Sequence, residues 1–599
     1  MEDRLKEKET MVKEPLLESA QEKGGFRTLP FIIGNEALER MATFGLSPNM
    51  TLYLINEYHM QMTTAANVLF MWSAATNFMP IVGAVIADSY LGRFHTIGFG
   101  SIVCLVGIIL LWSTAVIPQA RPPPCDQSSI VCSPPMIFQF LYLCLSFGLI
   151  SIGAGGIRSS SLAFGADQLE KKGFHKSPGA KQSYFGWYYA SLTLSILVAL
   201  TCVVYIQENL GWGVGFAVPG VLMLVAVISF FLASPFYVRF KSSSNLITGF
   251  AQVAVASFRN RHLKLSDSTS DLYLCRDGFG LMIPSEKLRF LNKACVVRDV
   301  GKELTPDGRA ANPWRLCTVE RVEELKALLR VIPIWFSGMI MSINMSQSTF
   351  PVLQAVSMDR EITSSFEIPA ASFGMFAVVA VILWVVLYDR AFLPLASRLM
   401  GRPVCVSARR RMAIGIFLSF LAMIVSAAVE AIRRSVAIET GKSNHPQAVM
   451  AMSALWLVPQ NFLTGFAEAS NAIAQNEFYF SELPRSMSSI ASTLLGIGMC
   501  LANILASSIM NTVDYLSRQG GDESWISSNI NKGHYDYYYL VLAGLSMANM
   551  YFLGCSAAFG PSTEEGKLPE EEENGFCEGD GGTEKGFPQK QKQVSKCFP

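Results

Sequence analysis

Twelve stretches of this 599-residue chain are each long and apolar enough to cross a lipid bilayer, a crossing that takes roughly 20 residues of helix. They run near 29–58, 64–90, 94–117, 136–166, 181–206, 212–237, 325–352, 370–397, 410–432, 449–479, 488–513 and 536–559. Inside a bilayer, backbone polar groups must be paired within the protein, and for segments of this length the helix is the structure that does so. Composition agrees: 51% of residues are hydrophobic and 16% charged, against about 25% charged in an ordinary soluble chain. The expected fold is an all-α polytopic membrane protein with twelve transmembrane helices.

A long polar segment, 238–324, separates spans six and seven and predicts two six-helix bundles, 29–237 and 325–559. Residues 1–28 form a polar N-terminal tail without the pattern of a cleavable signal peptide, so the first span is expected to direct insertion. Residues 560–599 are acidic, then basic, and poor in apolar side chains, the composition of a disordered tail. Within the linker, 245–265 reads either as an amphipathic helix lying on the membrane surface or as a solvated linker helix. Basic loops between spans four and five, at 238–324 and at 409–411 lie on the side of the N-terminus. The positive-inside rule then puts both termini in the cytosol, although Arg433 and Arg434 fall on the opposite side. A net charge of +1 argues against a nucleic-acid partner.

The 13 cysteines lie mostly in spans or in loops on the side of the termini, where free thiols are expected. Cys125 and Cys132 flank a short outer loop, and a disulfide or two free thiols are equally open there. The six histidines show no metal-ligand spacing, so no metal is expected.

Span one contains "EALER", with Glu36, Glu39 and Arg40 three and four positions apart and hence on one helix face. Charge at membrane depth faces a cavity or a bundle interior and marks function unless it only pins helices together. Arg158 in span four is the expected partner. Two carboxylates and two guanidiniums are neutral together; protonating one carboxylate leaves a cation that an anionic substrate neutralises, so proton and substrate bind cooperatively. Glu468, in span ten, is a second intramembrane charge. It is a ligand contact or a helix-to-helix hydrogen bond.

"GAVIADSYLGRF" (83–94) resembles the major facilitator signature, in which an Asp and an Arg, here Asp88 and Arg93, lock one gating state; the bland reading is a capped turn. "EALER" is similar to the ExxE[K/R] motif of the proton-coupled oligopeptide transporter family, which includes the plant nitrate and peptide transporters. Further resemblances follow in order: "GAGGIRSSSLAFGADQ" (153–168), "FGWYYAS" (185–191), "SEKLRFLNKA" (285–294) and "NEFYFSELPRSMSS" (476–489). With "NINKGHYDYYY" (529–539) they resemble the first subfamily of the plant group.

The resemblance implies a major facilitator fold, proton coupling at Glu36 and a span-four cation. Arg158 and Ser159 stand where relatives have Lys and Pro, and the Arg fork suits a planar carboxylate or nitrate. Thr43 and Phe44 stand where peptide carriers have tyrosines, which argues against di- and tripeptides. Counting back from the shared "DR" puts Asn344 where a nitrate carrier has its nitrate-binding His. Trp187, Tyr188 and Tyr189 line the cavity or pack between helices, with packing preferred and Trp187 taken as the binding candidate. Thr96 lies where a relative is phosphorylated.

The expected protein is a plasma-membrane symporter importing a small anion with protons, nitrate at low affinity or an organic carboxylate such as a hormone. It uses the proton gradient in place of any cofactor and is open to kinase regulation. A sensor of the same ligand and a di- or tripeptide carrier are the alternatives. No nucleophile, base and orienting group share a segment, so an enzyme is not expected.

Overall fold

The computed structural model describes residues 24–124, 133–169, 178–239, 246–263, 273–275, 284–298, 303–305, 310–364, 366–401, 406–484, 487–519 and 523–559. The first six crossings are α1 (Leu29–Asn56), α2 (Met62–Ile86), α3 (Arg93–Val116), α4 (Ile137–Gln168), α5 (Pro178–Val198) and α6 (Val204–Leu232). A π turn, Ala199–Val203, joins α5 to α6 without interrupting the helix, and the chain reverses later, at Gly211 (φ 78°, ψ 168°). Only glycine enters that conformation freely. A Cβ on Gly215 would lie 2.5 Å from Gln207 Cγ, which shows how tightly the chain folds back.

After α7 (Leu246–Arg259) in the linker come α8 (Val319–Met345), the short α9 (Thr349–Val356), and α10 (Met375–Leu387), which continues through a π turn into α11 (Leu393–Met400). The last four crossings are α12 (Ala408–Glu439), α13 (Val458–Glu482), α14 (Ser488–Ser517) and α15 (Tyr535–Phe559). Among the described residues, nine stretches qualify as spans on length and apolarity alone. The 50-residue stretch Ser183–Leu232 makes two crossings by its reversal at Gly211, and α1 and α13 carry the intramembrane charges; twelve crossings result. The chain is all-α, two six-helix bundles with the major facilitator arrangement.

Span ten begins later than the sequence suggests. Met450–Ser453 (β4) pairs in parallel with Met358–Asp359 (β1), and a 3-10 turn at Ala454–Leu457 precedes α13. An apolar run does not by itself separate a buried strand from the start of a helix. A second small pair, Glu361–Thr363 (β2) with Phe366–Glu367 (β3), lies beside it.

The first bundle closes around Leu46, Tyr53, Ile108, Phe147 and Phe216. Its helices meet almost backbone to backbone: a Cβ on Gly155 of α4 would lie 2.5 Å from Met79 Cβ in α2, and one on Gly153 would lie 2.3 Å from the Cys104 nitrogen in α3. Such contact needs small residues and fixes the register of α4. The second bundle packs Met339, Met423, Ala506 and Tyr538, and α2 crosses over to join it through Met62, Ala66 and Phe70.

Polar contacts between the bundles gather on the side away from the termini. Asn67 Nδ2 donates to Asn511 Oδ1 (2.8 Å), Ser507 Oγ donates to Asn67 Oδ1 (2.6 Å), and Arg360 Nη1 reaches Glu208 Oε1 (2.6 Å).

Candidate functional site

The small-residue run of α4 brings Arg158 against α1. Its Nη2 donates to Glu39 Oε1 (2.8 Å) and its Nε to Glu39 Oε2 (3.2 Å), a two-pronged pair, and Nη2 also reaches Thr43 Oγ1 (2.8 Å). The Thr43 hydroxyl lies one turn beyond Glu39, 3.0 Å from its carbonyl and 3.2 Å from Oε1. Glu39 is fully buried, and Arg158 is 11% exposed.

Glu36 is held differently. Its Oε2 accepts from the Tyr188 hydroxyl of α5, and its Oε1 lies 3.4 Å from Arg40 Nη2. Arg40 Nε is 4.0 Å from Glu39 Oε2, and this buried nitrogen makes no hydrogen bond among the described residues. Arg40 is thus the loosest member of the cluster, and at 23% exposed the most open. The ring of Phe44 stands beside both cations, 5.7 Å from Arg158 Cζ and 6.0 Å from Arg40 Cζ.

The structure brings Glu36, Glu39, Arg40, Arg158 and Phe44 into one cluster. It also corrects the roles read from the sequence. The Arg158 fork, expected to take a planar anion, is filled by Glu39. Thr43 is more than a missing tyrosine, because its hydroxyl joins the cluster. Of the aromatic triple, Tyr188 touches Glu36, while Trp187, one position away on the helix, is 70% exposed and makes no hydrogen bond among the described residues. A pair of tyrosines four apart, Tyr184 and Tyr188, was the available signal for a common helix face, since their rings lie 5.9 Å apart.

Asn344 does not join the cluster. Its amide donates to Ser419 Oγ (2.9 Å) on α12 and to Ser546 Oγ (2.6 Å) on α15, so it faces the interior of the second bundle with both hydrogens engaged. Glu468 on α13 is partly buried and has no hydrogen-bond or ion-pair partner among the described residues.

Between α2 and α3, a π turn at Ala87–Leu91 and Gly92 (φ 76°) set the stretch that carries Asp88 and Arg93. Arg93 Nε lies 3.7 Å from Asp88 Oδ1, but its closer partner is Asp167 Oδ2 at 2.6 Å, from the end of α4. Sequence reading missed Asp167, although it stands in the "GADQ" ending of the span-four motif. Thr96 is 5% exposed and its hydroxyl donates to Gly92 O (3.0 Å), so in this conformation it is closed to a kinase. Cys125 and Cys132 lie outside the described residues.

Residues 94–526 match the PTR2 (POT) family. The chain is 52% identical to Protein NRT1/PTR FAMILY 1.2 of Arabidopsis thaliana over 556 residues, 92% of each chain. The chain belongs to this family. It is also 52% identical to NRT1/PTR FAMILY 1.1 of the same plant over 569 residues, covering 94% of this chain and 96% of the relative. Among solved structures, an auto-inhibited POT family peptide transporter matches with a TM-score of 0.64 at 21% identity, covering 90% of this chain and 99% of that one, a likeness of fold. As a POT-family member the protein is a multi-pass membrane transporter and not an enzyme.

Proposed function

We propose that the protein is a proton-coupled symporter that imports a small organic anion by alternating access, with nitrate as a weaker substrate. The supporting observation is the unequal grip on the two cations: Glu39 holds Arg158 with both oxygens, while Arg40 rests 3.4 Å and 4.0 Å from its carboxylates. A proton arriving on Glu36 cancels one negative charge in a neutral set of four. The surplus cation is then the loosely held one, and Arg40 turns its guanidinium to a carboxylate. Substrate and proton each raise the other's affinity by the same factor. Release of both on the other side restores the Arg40–Glu36 contact.

Phe44 beside Arg40 favours an anion with an apolar body. Glu468, without a partner among the described residues, meets the far end of such a ligand as a hydrogen-bond acceptor when ionised. Asn344, committed to two serines, lends nothing to nitrate, which keeps nitrate affinity low. Both termini lie in the cytosol in this reading, by the basic loops of their side, and the plasma membrane is the site of uptake.

The test is substrate-evoked inward current in voltage-clamped cells, with nitrate and a panel of organic carboxylates. A coupled importer moves net positive charge when more than one proton enters with each monoanion, and a one-to-one carrier shows instead substrate-dependent acidification of the cell. Ligand binding without current or acidification overturns the reading in favour of a sensor. Dipeptide uptake exceeding that of every anion overturns the substrate class.

A further inference from the structure

Glu36 and Glu39 stand near one another on the same face of α1, yet of the two only Glu39 holds a guanidinium with both oxygens. The difference originates on α5. There the Tyr188 hydroxyl occupies Glu36 Oε2 and leaves Oε1 alone to face Arg40, at 3.4 Å.

Tyr188 is the fixed partner in that contact. Its buried ring packs with Leu29 of α1, Leu169 just past α4, and Tyr184. Tyr184, one turn back on α5, is itself anchored: its hydroxyl donates to the Leu162 carbonyl (3.1 Å) of α4, and a Cβ on Gly165 would lie 2.0 Å from its oxygen. Rings seated this closely have few rotamers open to them, whereas a glutamate side chain bends at several torsions. The carboxylate therefore takes its place from the phenol.

Opposing tendencies set the balance. The Tyr188 hydroxyl has Glu36 as its hydrogen-bond partner among the described residues, and a buried hydroxyl left without a partner loses its solvation uncompensated. A carboxylate oxygen, for its part, bonds more strongly to a guanidinium than to a neutral phenol. Without the hydroxyl, Glu36 Oε2 would turn to Arg40 Nε, which is unbonded among the described residues, and close a two-pronged pair like that of Glu39 with Arg158. A protonated Glu36 still offers Tyr188 a lone pair, so the carboxyl keeps its place in both charge states and Arg40 is the member set free.

We infer that Tyr188 is a positioning residue of the transport cycle: by holding Glu36 toward α5, it keeps Arg40 available to the anionic substrate. This role rests on those proposed above for Glu36 and Arg40.

The test uses the full chain in proteoliposomes, with nitrate and phenylacetate as probe anions, and measures exchange and pH-driven uptake. Tyr188→Phe keeps the ring and removes the hydroxyl; it should raise KM for exchange about fivefold, the worth of one hydrogen bond, while the maximal rate stays within about twofold. In the Glu36→Gln background, residue 36 carries no charge to pair with Arg40. There Tyr188→Phe should change KM by less than about twofold, the non-additivity of two residues that act through one contact. Unfolding temperatures near the parent values show that the variants fold; for a Tyr188→Phe protein that does not, Tyr188→Met, which fills the space without a hydroxyl, is read in its place. An unchanged KM in Tyr188→Phe, or equal increases in both backgrounds as a merely structural role would give, overturns the positioning role and leaves the proton site standing. Full pH-driven uptake by Glu36→Gln, or no exchange of either anion by the wild type, overturns the reading on which that role rests, and the role with it.

Discussion

Buried ion pairs at two places in this protein, within α12 and between α1 and α4, are built for opposite ends. Glu430 and Arg433 are one turn apart on α12 and fully buried; Arg433 meets both Glu430 oxygens (2.7 and 2.9 Å), Asn531 Oδ1 (2.6 Å) and the Ile530 carbonyl (2.8 Å). Gln354 donates to the same carboxylate at 2.8 Å. Because both charges ride on one helix, no movement of one bundle against the other alters the pair. Glu39 and Arg158 instead join two helices, and beside them Arg40 is held to Glu36 and Glu39 only by longer contacts, with a donor to spare, while Glu36 is fixed by the Tyr188 hydroxyl. Burial of charge alone does not mark a working site; unspent bonding capacity beside it does.

The contrast can be broken most forcefully at Arg433. Arg433→Ala strands a buried carboxylate and should cost about 3–5 kcal/mol of stability, seen as a lower unfolding temperature and less folded protein, with transport per folded molecule near wild type. A folded variant with abolished transport would assign Arg433 to the mechanism instead.

Glu36→Gln should do the reverse. Accumulation against a gradient disappears, exchange of substrate across the membrane persists, and the unfolding temperature barely moves. Uphill, pH-driven uptake at the wild-type level would move the proton site elsewhere. Among the cations, Arg40→Lys should raise KM about tenfold, or about 1.4 kcal/mol, because a point charge cannot reproduce the fork. Arg158→Lys should disturb turnover more than KM, since Arg158 bonds to Glu39 and not to substrate. Equal effects on KM in the two variants would erase the proposed division between them.

The smallest effect is expected at the gating motif. Asp167→Asn should slow turnover several-fold while KM changes less than about twofold, as for a residue that acts on the conformational step. Asp88→Asn should do less, its contact with Arg93 being 3.7 Å against 2.6 Å for Asp167.

Most of the fold was legible because most crossings announce themselves locally, in about 20 consecutive apolar residues, whereas α1 and α13 fall short of that measure and the fifth and sixth crossings merge into one stretch. The triad was legible for a similar reason: spacing by three and four places Glu36, Glu39 and Arg40 on one face without knowledge of any other helix. What lay between helices was hidden. Arg158 was rightly placed beside α1, but its grip on Glu39 and its use of Thr43 depend on the register that Gly153 and Gly155 impose on α4. Asn344 shows the limit from the other side. Counting residues located its position along α8, yet the direction of its side chain follows from Ser419 and Ser546 on distant segments. Arg433, an exception to the positive-inside rule, ceases to be one in three dimensions, because its charge is neutralised by Glu430 and never meets headgroups.

Arg360, on the side away from the termini, reaches Glu208 of the first bundle and Glu367 of the second, both at 2.6 Å. Those carboxylates are 31% and 52% exposed, open to dissolved ions. Screening shortens from about 8 Å at physiological ionic strength to about 3 Å at 1 M salt. Salt in the medium bathing that face therefore weakens this one charged tie between the two bundles, while the pair enclosed within α12 is left untouched.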